Sequence, residues 1–311
     1  MKRISKRSQT VGDLGEFGLI KEICASIPHA GDDCAVLPSA DRKKCLLYTC
    51  DPVVEGVHFV AATPPRQIGW KAMARNLSDI AAMGGQPRWA VVSIGLRPAT
   101  SVRWVKEIYA GLHAAARKFN CQIVGGDTTH VKHEQFVVVA LIGDVVKSRI
   151  ALRSGARVGD SVFVTGTLGG SLHGKHLTFT PRVNEARWLV GHFPVHAMID
   201  LTDGLSNDLQ RLRESSRPGI GFEIFAAEVP IARAARGRLT AALNDGEDFE
   251  LLFTIDPRYV TALRRSWAHD FRLKLTEIGR VVQSRGAITL IGNDAIQRPL
   301  TPAGYDHFTN R

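Results

Sequence analysis

Short apolar runs alternate along the chain with amphipathic stretches of helical length, the pattern of a mixed α and β protein. Leu46–Cys50 reads as a strand that runs into Asp51. From Ile68 to Met83 the residues Ile68, Met73, Leu77 and Ile80 recur on one face, and Gly84-Gly85 then Pro87 stop the pattern, predicting a helix. Trp89–Leu96 alternates like a strand. Ser101 is placed to cap a helix running to about Phe119, with Val105, Ile108, Leu112 and Phe119 inward. Phe136–Val146 is a strongly apolar strand. The stretch from Lys147 to Arg157 breaks the pattern, and the domain junction is expected there, giving domains 1–148 and 149–311. Beyond it come a strand at Ser161–Thr165, helices near Arg182–His192 and Leu205–Glu214, and strands at Phe249–Ile255 and Ile288–Ile291.

Composition agrees with two folded domains, because 311 residues exceed one comfortable core. At 44% hydrophobic and 23% charged, the chain is neither disordered nor fibrous. No apolar run approaches the roughly 20 residues of a membrane-spanning helix, so no membrane association is expected. The start, Met-Lys-Arg-Ile-Ser-Lys-Arg, has no apolar core behind its basic residues and does not read as a signal peptide. The five cysteines, Cys24, Cys34, Cys45, Cys50 and Cys121, are odd in number and form no Cys-x-x-Cys pair. They read as small buried apolar residues of a cytoplasmic protein rather than disulfide partners or zinc ligands.

Charge adds a further constraint. Forty Lys and Arg stand against thirty Asp and Glu, a formal +10. Four of the positives, Lys2, Arg3, Lys6 and Arg7, belong to what reads as a loose tail. A basic balance suits nucleic acid, small anionic ligands or simply a solvated surface. With 7% aromatics and no basic-aromatic motif, nucleic-acid binding is not expected.

The placement of the acidic residues is more informative than their number. Gly31-Asp32-Asp33, Cys50-Asp51, Ser78-Asp79, Gly125-Gly126-Asp127 and Ile199-Asp200-Leu-Thr-Asp203-Gly204 put carboxylates beside glycine or at the end of apolar runs. One such pair is ordinary turn chemistry. Five of them, interleaved with strands, suggest poorly hydrated carboxylates that a hard divalent cation would stabilise. A competing phosphate loop, Gly169-Gly-Ser-Leu-His-Gly174-Lys175-His176, fails at its last position, where His176 has no hydroxyl for Mg²⁺. It reads instead as a glycine-rich turn.

Several segments taken together carry a resemblance: Gly15-Glu-Phe-Gly-Leu-Ile20, Gly31-Asp-Asp-Cys-Ala-Val36, Asp51-Pro-Val-Val-Glu-Gly-Val-His-Phe59, Lys71-Ala-Met-Ala-Arg-Asn-Leu-Ser-Asp-Ile-Ala-Ala-Met-Gly84, Gly125-Gly-Asp-Thr-Thr129, Arg153-Ser-Gly155, Ile199-Asp-Leu-Thr-Asp-Gly-Leu205, Gly246-Glu-Asp-Phe-Glu-Leu251 and Gly304-Tyr-Asp-His-Phe308. In this order they resemble the thiamine-monophosphate kinase family over almost the whole chain. The resemblance implies an α/β (α+β) fold of two domains shared with aminoimidazole-ribonucleotide synthetase, with the N-terminal sheets of two subunits pairing across a homodimer. It also implies direct phosphoryl transfer from ATP to thiamine monophosphate, giving ADP and thiamine diphosphate with the help of several Mg²⁺ ions. The attacking phosphate oxygen is already anionic, so such a reaction needs charge neutralisation rather than a general base.

Carried over by position, the resemblance implies Asp33, Asp51, Asp79, Asp127 and Asp200 as magnesium ligands, with Asp203 holding a further ion. Asp32 either assists or caps its turn. Gly126, Asp127, Arg153 and Thr202 would contact the nucleotide. Tyr109 would pack on adenine across the subunit interface, or belong to the core of its helix. His58 and Glu247 would contact the thiamine phosphate; His173, His176 and His192 read as surface or core. Cys50 stands where the family usually has Ser or Thr beside the metal-binding Asp, and a thiol is the poorer Mg²⁺ ligand. Pro52 replaces a usual Thr, Asp245 a usual Gly, and the segment between Gly170 and Arg182 is short. An aromatic residue expected before Gly304 is replaced by Thr301, Pro302 and Ala303. These departures leave one rival, a sister ATP-using enzyme with another acceptor; the charge of +10 leaves a second, a non-catalytic nucleotide or nucleic-acid binder.

Overall fold

The computed structural model describes residues 9–24, 26–27 and 30–308; the four basic residues of the N-terminal tail lie outside them. The first unit contains α1 (Val11–Cys24), β1 (Ala35–Pro38), β2 (Lys44–Val54), α2 (Pro65–Ala82), β3 (Gln86–Leu96), α3 (Val102–Lys118), β4 (Gln122–His130) and β5 (Phe136–Val146). Its five strands lie in the order β1-β2-β5-β3-β4, antiparallel except for the parallel β3–β4 pair. Short 3₁₀ turns at Lys147–Arg149 and Arg153–Gly155 then lead into the second unit.

That unit comprises β6 (Ser161–Thr165), α4 (Lys175–Thr178), α5 (Val183–His192), β7 (Val195–Asp200), α6 (Leu205–Ser215), β8 (Ile220–Phe225), α7 (Leu239–Asn244), β9 (Leu251–Ile255), α8 (Val260–Asp270), β10 (Leu275–Gln283), β11 (Ile288–Ile291) and β12 (Gln297–Pro299). Its seven-stranded sheet runs β12-β11-β8-β10-β6-β9-β7. Every residue of β6 and β9 is buried, which is why both read as short continuous apolar runs rather than alternating ones.

The periodicities explain the helices. Ile68, Met73, Leu77 and Ile80 are all buried, and the Ser101 hydroxyl accepts the Trp104 N–H as the cap of α3. Ile108, Leu112 and Phe119 are buried too, while Val105 is half-buried. α2 and α3 touch backbone to backbone at paired glycines. A Cβ on Gly69 would stand 1.9 Å from the Ile108 carbonyl oxygen, and one on Gly111 2.0 Å from that of Arg66. α2 also packs on β2 and β5 and on α4, α5 and β7 of the second unit, so it is buried almost all round. A single apolar core runs from Leu77, Ile80 and Leu141 to Phe163, Met198, Phe253 and Trp267 across both units.

Three expectations change. Gly125-Gly126-Asp127 is no turn but the middle of β4, an exposed edge strand without the alternation that would have announced it. Asp51 lies within β2 and Asp79 on α2, so their restraint comes from regular structure rather than from turns. Cys50 is exposed, as strand alternation requires between the buried Thr49 and the half-buried Asp51; the other cysteines are buried or half-buried. Pro52 sits in β2 beyond the reach of β1, whose pairing ends at Tyr48, so its missing N–H leaves no bond unmade.

The contact between α2 and α3 leaves no room for a methyl group. Gly69→Ala should destabilise the protein by about 1–3 kcal/mol through overpacking. Urea denaturation checks this; a midpoint equal to that of the wild type would mean that the helices yield freely.

Candidate active site

A cavity of about 460 Å³ opens between the two units. Its wall takes Thr49, Cys50 and Asp51 from β2, Lys71, Arg75 and Asp79 from α2, Arg153 from the inter-unit turn, and Asp200, Thr202 and Asp203 from the end of β7 and the loop after it. Glu247, His58, Asp33, His176, Arg211, Glu16, Tyr305 and His307 complete much of the lining. Lys71, Arg75 and Asp79 follow one another at four-residue spacing, which stacks them along one face of the helix.

At one end, Asp33, Asp79 and Asp200 offer carboxylate oxygens that all lie within 4.8 Å of one another. Thr49 donates its hydroxyl to Asp79, and Ser78 Oγ donates to Asp200 at 2.5 Å. Arg153 Nη2 donates to Asp33 at 2.5 Å, while Asp33 Oδ2 is buried with no hydrogen-bond partner among the described residues. Burial pushes the Asp200 carboxyl up to about 8, with the charge of Asp33 adding to it. Burial and the charges of Asp51 and Asp200 raise Asp79 well above the usual range. Crowded, poorly hydrated oxygens with one orphaned lone pair are a donor set that a hard divalent cation fits. Asp32 accepts the N–H groups of Asp33 and Arg153, both at 3.1 Å, so it caps its turn and lies outside the cavity wall.

The charge pattern is reversed at Glu247. Arg75 bridges Asp51, Nε at 3.0 Å, to Glu247, Nη1 at 3.3 Å. Lys71, only 1% exposed, pairs with Glu247 while its Nζ donates to the His58 carbonyl at 3.0 Å and lies 2.9 Å from His176 Nδ1. Burial alone would raise the Glu247 carboxyl, but His176, Lys71 and Arg75 outweigh it and hold the group at about 2. The residue adopts φ 56° and Phe249 φ 50°, a conformation disfavoured for both. Phe249 stacks on Phe179, with ring centroids 3.8 Å apart, which helps fix this strained turn. His58 is held neutral, its pKa pushed down to about 3 by burial and by Arg75 and Lys71. The Val54 N–H donates to His58 Nδ1 at 3.1 Å, which assigns the ring proton to Nε2.

Between these ends, Asp203 pairs with Arg211, and the N–H groups of Thr202 and Asp203 both bond to the buried Asp208. The glycine-rich loop proves unsuited to phosphate. Gly169 N donates to both Asp248 oxygens at 3.0 and 2.9 Å, and Gly170 N to Asp245 at 2.9 Å. Lys175 bonds the buried Glu250 at 2.9 Å. The amides that would cradle an anion are taken by carboxylates, those of Asp245 and Asp248.

The cavity therefore brings together Asp33, Asp51, Asp79, Asp200, Asp203, Cys50, Arg153, Thr202, His58 and Glu247. It does not include Gly126, Asp127 or Tyr109: the first two lie on β4, three strands from β2 in the sheet, and Tyr109 lies on α3 against the core. Lys71, Arg75 and His176 went unrecognised in the sequence. The first two carried a signal, the four-residue spacing to Asp79; His176 carried none. The aromatic wall is supplied by Tyr305 and His307, after Gly304 rather than before it.

Residues 31–145 match the family model described as AIR synthase related protein, N-terminal domain, and residues 164–291 the corresponding C-terminal domain. Two mixed α/β units of this kind, joined over a carboxylate-lined cavity, make the chain a two-domain member of the AIR synthase related family. It is 36% identical over 292 residues to the thiamine-monophosphate kinase of Rhodopirellula baltica, covering 89% of this chain and 90% of the relative. It is 33% identical to that of Aquifex aeolicus, covering 95% and 99%. The solved structure of AaThiL complexed with AMPPCP and TMP superimposes with a TM-score of 0.84 at 32% identity, covering 96% of this chain and 99% of that one. The chain belongs to the thiamine-monophosphate kinase family. Among the described residues, no helix is long and apolar enough to cross a membrane.

Lys71 is a fully buried charge of the cavity wall, and removing it strands part of the Glu247 carboxylate. Lys71→Met should cost about 3 kcal/mol of stability, measured by denaturant titration. A loss below about 0.5 kcal/mol would place the pair in the weak class of solvated surface bridges.

Proposed function

We propose that the chain transfers the γ-phosphoryl group of ATP to the phosphate of thiamine monophosphate, releasing ADP and thiamine diphosphate. The observation that carries this reading is one cavity with two opposite electrostatic ends: an acid cluster at Asp33, Asp79 and Asp200, joined through Asp51 and Arg75 to the fixed Glu247. The likeness to a relative solved with AMPPCP and TMP supports it. Asp33, Asp51, Asp79 and Asp200 would hold Mg²⁺, with Asp203 holding a further ion. Those ions would neutralise the triphosphate and acceptor phosphate and align the attacking and leaving oxygens.

The protein's part is to position these groups. Arg153, its guanidinium anchored by Asp33, presents a planar fork towards phosphate beside Thr202. Arg75 stands between the two ends, where the acceptor phosphate would meet the donor. His58, neutral with its proton on Nε2, offers a donor to the acceptor, and Glu247 stays anionic beside it. No side chain is required as a base, because the attacking oxygen is ionised at neutral pH.

Gly126, Asp127 and Tyr109 enter this reading through a homodimer. The sheet face bearing Tyr48, Trp89 and Val91, exposed at 42%, 48% and 43%, would pair with its counterpart. A partner would then bring its own β4 towards the cavity of this chain. The N-terminal domain, 1–148, would supply metal ligands, part of the ATP site and the dimer contact, and the C-terminal domain, 149–311, would close the cavity.

ADP release coupled to a reporter, with ATP, Mg²⁺ and thiamine monophosphate, tests the reading: turnover should require that acceptor. Asp51→Asn should lower kcat by at least ~10²-fold with the fold retained; turnover with another acceptor alone would favour a sister enzyme.

A second expectation follows from the raised Asp79 and Asp200. Asp200, raised to about 8, is largely protonated at pH 7 without a cation, and burial shifts Asp79 in the same direction, yet a ligand to Mg²⁺ must be ionised. Mg²⁺ binding at pH 7 should release protons, and affinity should weaken as the pH falls from 8 to 6. Calorimetry in buffers of different ionisation enthalpy reads this directly; an uptake independent of buffer would show the carboxylates ionised beforehand.

A further inference from the structure

Residues 245–250 grip the segment 169–182 at several points, yet of these six only Asp245 and Glu247 line the cavity. Asp245 and Asp248 hold the amides of Gly170 and Gly169, and the Ser171 hydroxyl also donates to Asp248. Phe249 stacks on Phe179, and His176 Nδ1 lies 3.4 Å from Glu247 Oε2.

Glu250, 1% exposed, takes the later part of the segment. Its Oε1 accepts Lys175 Nζ at 2.9 Å and Arg182 Nη2 at 2.7 Å. Its Oε2 accepts Arg182 Nε at 2.7 Å and the Thr165 hydroxyl at 2.9 Å. The Arg182 fork thus meets the carboxylate through two bonds, a geometry that fixes direction as well as distance. The fit is close: a Cβ on Gly166, at φ 63°, would stand 2.3 Å from Oε1. The Glu250 carbonyl in turn accepts the Leu201 N–H at 2.8 Å. Lys175 opens α4 and Arg182 directly precedes α5, so the two cations bracket the stretch that carries His176 and Phe179.

We propose that Glu250 is a positioning residue: it lies outside the cavity, but by drawing Lys175 and Arg182 onto one carboxylate it fixes where His176 and Glu247 stand. This rests on the phosphoryl-transfer reading above, in which Glu247 meets the acceptor, and deepens it. The link runs through Lys71, whose ammonium is shared among Glu247, the His58 carbonyl and His176 Nδ1. Moving His176 leaves Lys71 short of a partner and releases one of the three groups that hold Glu247. Glu247 and Phe249 both stand at positive φ, which persists only where the surroundings over-determine it. The grip on segment 169–182 is such a surrounding. A displacement of about 1 Å in a group that orients a substrate can cost ~10²-fold in rate.

Steady-state kinetics on the full chain test this. Glu250→Gln keeps the shape of the side chain but removes the charge that holds Lys175 and Arg182. It should lower kcat/KM for thiamine monophosphate ~10-fold or more and raise the acceptor KM at least threefold, with KM for ATP within about twofold. A role in stability alone lowers the folded fraction, and with it the apparent kcat, and leaves both KM values where they were. An acceptor KM less than threefold above the wild type, or an equal rise in both KM values, overturns the proposal. If Glu250→Gln does not fold, Lys175→Gln, at a side chain 31% exposed, decides by the same threshold.

Failure of the functional reading would look different, since the wild type itself would then not turn over thiamine monophosphate. In that event the crystal structure of the same variant decides. A Glu247 carboxylate moved out of reach of Lys71 sustains the positioning role, and one still paired with Lys71 and Arg75 overturns it.

Discussion

The structure depends on burying α2. A helix enclosed on nearly all sides normally carries apolar residues, yet this one carries Lys71, Arg75, Asn76, Ser78 and Asp79 within its packed length. An ion moved out of water costs several kcal/mol unless partners replace its hydration. Here the partners come from elsewhere in the fold: Glu247 for Lys71 and Arg75, Asp200 for Ser78, Asp51 for Arg75 and Thr49 for Asp79. Several of these bonds cross from the first unit to the second. Separating the units would strand both sides of each pair, so the cavity walls are held in register by the same groups that line them.

The two ends of the cavity differ in how far that compensation goes. At Glu247 three basic groups converge on one carboxylate, and its pKa falls to about 2 despite burial. At Asp33, Asp79 and Asp200 three carboxylates share essentially one guanidinium, and burial wins: Asp200 rises to about 8. The same backbone thus produces a saturated end, rigid and fixed in charge, and an undersaturated end whose charge depends on what binds. In the proposed reading, the fixed anion would select and the undersaturated cluster would recruit cations.

Much of this was legible in the sequence, and the exceptions have physical causes. α2, α3, β5, β6 and β11 announce themselves because each has a regular apolar face or is buried on both faces. β4 does not, because an edge strand exposed along its length has no reason to alternate. Most carboxylates of the cavity were found as Asp beside Gly or at the end of apolar runs, although Asp79 owes its place to a helix. His176, Tyr305, His307 and Glu16 could not be found from local pattern. Each is placed by contacts with segments remote in sequence, such as the Lys71–His176 contact and the Glu16–Asp306 bond. The net charge of +10 also reads differently once the pairs are known.

That last point bears on why metal ions suit this chain. Four basic side chains line the cavity deeply, Lys71, Arg75, Arg153 and Arg211, and each is already engaged with a carboxylate: Glu247, Asp51, Asp33 and Asp203. His58 is held neutral. The glycine-rich loop that might have offered amides has them bonded to Asp245 and Asp248. Bringing together a triphosphate and a phosphate ester costs most through repulsion, and the protein's own cations are committed before either arrives. In the proposed transfer, Arg153 and Arg75 bring charge already shared with a carboxylate, and bound cations would supply the rest. The crowded oxygens of Asp33, Asp79 and Asp200 are the part of the fold whose electrostatics improve when such cations bind.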